Sequence, residues 1–72
     1  MLTITARQRR LRRLMRTHGL TPQQVGELLY RNASYVRSWH AGINPVPPEM
    51  LRLLELEIQS GERVRIITAA QG

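Results

Sequence analysis

The chain has no cysteine, which excludes disulfides, cysteine-based zinc sites and thiol chemistry together. Its two histidines, His18 and His40, fall on separate predicted elements, and two imidazoles without thiolates do not make a zinc site. Aromatic residues are scarce, one tryptophan and two tyrosines, which counts against the stacking surfaces of an RNA-binding protein. No apolar run approaches the roughly 20 residues needed to span a bilayer. The stretch Met1-Leu2-Thr3-Ile4-Thr5 passes straight into arginines with no apolar h-region, so the cytoplasm is the expected compartment. Paired carboxylates, a nucleophile–base set and a glycine-rich phosphate loop are all missing. The expectation is therefore a protein that is not an enzyme, with no cofactor, no metal, no small-molecule substrate and no membrane partner.

What is present is charge of one sign in one place. The net charge is +6, all the basic residues are arginine, and lysine is absent. Six arginines (Arg7, Arg9, Arg10, Arg12, Arg13, Arg16) lie in the first twenty residues with no acid among them, whereas the other five are matched by five glutamates. That asymmetry points to an anionic partner, of which nucleic acid is the usual one; a solvated helix face is the plainer alternative. With 72 residues, of which 42% are hydrophobic, the chain reads as one folded domain, 1–72, too small for a cleft between lobes.

Start and stop signals divide it into four helical segments. Thr5 and Gln8 have capping-box spacing, and Ile4, Leu11, Leu14, Met15 and His18 share one face before Gly19. Arg9, Arg12, Arg13 and Arg16 fall opposite. Thr21-Pro22-Gln23-Gln24 combines an N-cap, proline at the first helical position and a second capping box, followed by the apolar Val25, Leu28 and Leu29. The third segment runs from Asn32 as N-cap to Ala41, anchored by Val36 and Trp39 and stopped by Gly42. After the stiff link Asn44-Pro45-Val46-Pro47-Pro48, the fourth spans 48–60 and ends at Gly61. Leu51, Leu54, Ile58, Met50 and Leu53 form its apolar arc, with Leu56 standing apart. In the tail, 61–72, polar and β-branched residues partly alternate from Glu62 to Thr68, which predicts an extended segment or short strand. The expected fold is all-α: a four-helix compact helix-turn-helix domain with its core in 5–60.

The second and third segments are short and closely spaced, so they cross steeply and leave the later one projecting from the body. Leu20-Thr21-Pro22-Gln23-Gln24-Val25-Gly26-Glu27-Leu28-Leu29, then Asn32-Ala33-Ser34-Tyr35-Val36-Arg37-Ser38-Trp39 and Gly42, resemble the phage repressor and Cro-type helix-turn-helix family. The likeness extends back through Leu11-Arg12-Arg13-Leu14 and Gly19 and forward to the fourth helix, roughly residues 8–58. Within the family the chain is similar to the small regulators that accompany anti-CRISPR genes in phages, which carry a comparable proline-containing link. Two departures stand out. Tyr30 occupies the position where the family has a left-handed glycine, which predicts a re-routed turn and a later start to the third helix. Met15 and His40 stand where the family pairs arginine with glutamate, which predicts an apolar replacement for that ion pair.

The resemblance implies a sequence-specific DNA-binding transcriptional regulator, a dimeric repressor on an inverted-repeat operator of double-stranded DNA. Alternatives are a phage-type adaptor or inhibitor that grips a host protein through the same fold, and an antitoxin-type autoregulator. With Val36 and Trp39 facing the core, about 100° per residue turns Ser34, Arg37, Ser38 and Ala41 outward, with Ala33 on the flank. Ala33, Ser34, Arg37, Ser38 and, in the following loop, Asn44 are the candidate base contacts; Arg37 alternatively holds a phosphate, and Asn44 is alternatively a turn former. Thr21, Gln23, Arg31 and Tyr35 are the candidate phosphate contacts. Leu53, Leu56, Val64 and Ile66 are the candidate homodimer interface.

Overall fold

The computed structural model describes residues 5–71, which form five helices and no strand: α1 Ala6–His18, α2 Pro22–Leu29, α3 Ala33–Ala41, α4 Pro48–Ser60 and α5 Glu62–Gln71. Ile4, read as part of the first apolar stripe, lies outside the described residues.

Local capping explains most of the boundaries. The Thr5 hydroxyl accepts from the Gln8 amide at 3.0 Å, satisfying one of the four unpaired donors that begin a helix. At Thr21 the box closes both ways: the Gln24 amide donates to the threonine hydroxyl at 3.2 Å, and the Thr21 amide donates to Gln24 Oε1 at 2.8 Å. The Asn32 side chain accepts from the Ser34 amide, and Gly19, Gly42 and Gly61 end α1, α3 and α4 in left-handed conformations. The box expected at Thr5 is only half formed. Gln8 is buried and sends Nε2 inward to the His40 carbonyl at 3.1 Å.

The core joins Leu11 and Met15 of α1, Val25, Leu28 and Leu29 of α2, Val36 and Trp39 of α3, and Leu51 and Leu54 of α4. Leu20 and Val46 close it from the loops, while His18, expected on the apolar face, is exposed. Each fully buried aliphatic side chain contributes about 1.5–3 kcal/mol. Eleven apolar residues are buried in this core.

One feature of the α2–α3 junction corrects the sequence expectation, and another bears it out. First, the turn is not re-routed. Tyr30 itself takes the left-handed conformation, at φ 57°, and α3 begins at Ala33 behind its Asn32 cap. A non-glycine residue there costs about 1–2 kcal/mol. Second, the close approach of the two helices that a glycine at position 26 leads one to expect is present: a Cβ on Gly26 would meet the Arg31 carbonyl oxygen at 2.6 Å. The Arg31 amide in turn donates to the Gly26 carbonyl at 2.8 Å, so backbone touches backbone in both directions.

The tail is also a correction. Residues 62–71 are helical rather than extended, and the count is five helices instead of four. Val64 and Ile67, three residues apart, both pack against the core, and Thr68 Oγ1 donates to the Val64 carbonyl one turn back at 2.7 Å. Burial at helical spacing outweighs the β-preference of valine and isoleucine, which is weak and context-dependent. Val64 and Leu53, read as dimer residues, are half-buried against the chain's own core, while Leu56 and Ile66 remain exposed.

Gly26→Ala should lower stability although alanine is the better helix former by about 1 kcal/mol. The obstacle is a main-chain carbonyl with no rotamer to change, and overpacking of this kind costs about 1–3 kcal/mol. The expected result is a net loss, seen in thermal unfolding followed by circular dichroism as a fall of roughly 4–8 °C per kcal/mol. A variant melting at or above the wild-type temperature would show that the turn yields freely.

Candidate nucleic-acid interface

With Val36 and Trp39 buried, α3 turns Ser34, Arg37 and Ala41 to solvent. Ser38 is half-buried and its hydroxyl donates to the Tyr35 carbonyl at 2.7 Å. Ala33 is half-buried too, with its backbone where a Gly26 Cβ would reach it at 3.4 Å. Among the candidate base contacts, Ser34 and Arg37 are therefore the freest on the helix.

Two depressions flank this outward stripe. The larger, an open groove of about 550 Å³, is lined by Arg12, Met15, Arg16, Gly19, Leu20, Thr21, Pro22, Arg37 and His40. It draws Arg37 of α3 together with Arg12 and Arg16 of α1 and the Thr21 cap of α2. No acidic side chain lines it. The smaller, of about 380 Å³, lies on the other side and is lined by Arg31, Tyr35, Trp39, Asn44, Pro47, Glu49 and Met50. Arg31, Tyr35 and Asn44 are exposed there, apart from Thr21 and Arg37. Asn44 also serves the turn, its amide donating to the Ser38 carbonyl at 3.3 Å.

The position of the absent ion pair is filled by hydrogen bonds, not only by apolar packing. Met15 is buried, but His40 is exposed, and its carbonyl accepts from both Gln8 Nε2 and Arg12 Nε, the latter at 2.9 Å. These bonds tie the first half of α1 to the last turn of α3, where unpaired carbonyls favour cationic donors. Arg12 consequently has one nitrogen committed to the scaffold while it lines the groove. The sequence put Arg12 and Arg16 with Arg9 and Arg13 on one face of the first helix, towards solvent or phosphate, without singling them out. Their spacing of four residues was the available signal, since it places both on one strip of the helix.

The remaining charges are sorted by location. Arg10 pairs with Glu55 at 2.6 Å across α1 and α4, and that hydrogen bond and charge hold its pKa above the ordinary guanidinium value. Arg63 pairs with Glu57 at 2.6 Å, and Arg7 donates to the Val46 carbonyl. Glu27 is exposed, and its main-chain carbonyl accepts from Arg63. Two of the three glutamates of α4, Glu55 and Glu57, thus engage arginines away from the groove, and the third, Glu49, lines the smaller depression.

Gln23 is exposed on the first turn of α2 beside Thr21. One apolar side chain escaped sequence reasoning: Ile43, just after α3, is 73% exposed next to Asn44. Among the described residues there is no cluster of histidine, cysteine, aspartate or glutamate able to hold a metal ion, and no helix is long and apolar enough to cross a membrane. Compared with models of protein families, with curated proteins and with solved structures, the chain finds no match.

Proposed function

We propose that this protein is a sequence-specific DNA-binding transcriptional regulator, a dimeric repressor that lays α3 in the major groove of an inverted-repeat operator. The observation that carries the proposal is a polar, outward face on α3 bordered by a groove of Arg12, Arg16, Arg37 and His40 without an acid. The major groove is about 12 Å wide and admits one helix. With α3 in it, Ser34 and Arg37 face base edges, and the α1 arginines face the adjoining phosphates. The first turn of α2, with Thr21 and Gln23, offers amide and side-chain donors to the same strand. Arg31 and Tyr35, across α3, face the other strand, and Asn44 follows them at the end of the helix.

One such helix covers only a few base pairs, so the proposal includes a second copy on the symmetry-related half-site. Leu56, 50% exposed, and Ile66, 63% exposed, are the apolar side chains of α4 and α5 free for that contact, with Leu53 and Val64 half-buried on the same helices. Repression follows where the operator overlaps a promoter, and the site of action is the cytoplasm.

Four outcomes are expected. Phosphate contacts make affinity fall with salt, log K against log[salt] sloping by about −0.9 per phosphate neutralised, with roughly 4 to 8 contacts per dimer; a flat response would favour an acidic protein partner. Arg37→Ala should cost about 1–3 kcal/mol per half-site and flatten discrimination at one base pair. Arg13→Ala, on the exposed side of α1 away from the groove, should weaken all sequences equally and slightly. Competition assays against single-base operator variants separate the two, and a uniform loss for Arg37→Ala moves base readout to Ser34, Ser38 or Asn44. Leu56→Glu should reduce self-association in ultracentrifugation while helical content stays unchanged; an unaltered dimer would relocate the interface.

A further inference from the structure

The turn between α2 and α3 is held from outside by a single side chain of α5. Arg63 Nη1 donates to the Leu28 carbonyl at 3.2 Å, and Nη2 donates to the Glu27 carbonyl at 3.0 Å. Nη1 also meets Glu57 Oε2 at 2.6 Å, and the guanidinium lies 4.7 Å over the centre of the Tyr30 ring. One planar group therefore touches the last turn of α2, the left-handed residue after it, and α4.

Each contact answers a specific need. The last four carbonyls of a helix lack intrahelical donors. For α2 the Gly26 carbonyl is taken by the Tyr30 and Arg31 amides, and those of Glu27 and Leu28 by Arg63. The negative end of the helix dipole favours the cation there. Glycine would occupy the left-handed site without strain, but it would give the guanidinium no surface. The Tyr30 ring, itself 77% exposed, supplies that surface, and a flat guanidinium suits it better than an ammonium. Glu57 fixes the side chain from α4.

We infer that Arg63 is a positioning residue for α3: by clamping the end of α2 onto the left-handed Tyr30, it sets the angle at which α3 leaves the body. The pose of the outward face then depends on α5 being docked. Its consequence for DNA rests on the function proposed above, but the clamp itself does not.

The test uses the full chain with Arg63→Ala, Arg63→Lys, Tyr30→Gly and the Arg63→Ala/Tyr30→Gly pair. Hydrogen exchange is read at the Arg31 amide, with the Met15 amide of α1 as internal reference. Arg63→Ala should speed Arg31 exchange roughly tenfold relative to Met15, the equivalent of one charge-assisted hydrogen bond, and Arg63→Lys should fall between. Tyr30→Gly should be more favourable in the Arg63→Ala background than in wild type, because only in wild type does it also remove the stack. On DNA, Arg63→Ala should narrow the affinity gap between a selected operator and its single-base variants while leaving random duplex binding unchanged. Unaltered Arg31 exchange, equal acceleration at Arg31 and Met15, or strict additivity of the pair would each overturn the clamp. If wild type shows no preference among duplexes while Arg31 exchange responds as expected, the DNA reading fails and the clamp stands.

Discussion

Backbone meets backbone where α2 gives way to α3. The Arg31 carbonyl oxygen sits 2.6 Å from where any Cβ on residue 26 would be, so only glycine lets the turn fold back this far. Because it does, the Arg31 amide reaches the Gly26 carbonyl, Tyr30 becomes left-handed, and Asn32 is placed to cap a new helix. Val36 and Trp39 then enter the core from one side, which leaves Ser34 and Arg37 on the other. The exposed face of α3 is thus a consequence of a glycine one helix earlier.

This junction distributes strain in an uncommon way. The glycine lies inside a helix, where it weakens the element by roughly 0.5–1 kcal/mol, and the tyrosine sits in the turn, where a glycine would be unstrained. What offsets both is contact from elsewhere in the chain: Ala33 packed against residue 26, and Arg63 on the end of α2 and the tyrosine ring. Charge is divided along the same lines. Arg10 and Arg63 are held by Glu55 and Glu57, so these two acids of α4 serve the scaffold. Arg12, Arg16 and Arg37 line a groove without an acid.

Features set by a few adjacent residues were legible in the sequence. The N-caps at Thr5, Thr21 and Asn32, the stops at Gly19, Gly42 and Gly61, and the inward pair Val36 and Trp39 follow from local chemistry and periodicity, and the structure has them all. What was not legible depends on partners distant in the chain. Gln8 carries capping-box spacing, yet its side chain is drawn to a carbonyl 32 residues away. Tyr30 looks incompatible with a left-handed turn until Arg63 is placed over it. The tail alternates like a strand, and only burial of Val64 and Ile67 on a core built by the other helices makes it α5. For the candidate site the outward residues of α3 were readable from the helical repeat, whereas the convergence of Arg12 and Arg16 on Arg37 required the crossing of α1 and α3.

We propose that the face of α3, with the cationic groove beside it, reads a DNA sequence as a symmetric pair. Selection of bound duplexes from a random pool, at a salt concentration that suppresses non-specific binding, tests it most directly. Enrichment of one inverted repeat is expected, with half-sites about one helical turn apart, roughly 34–36 Å between centres. Recovery of a pool no different in sequence from the one supplied would contradict it.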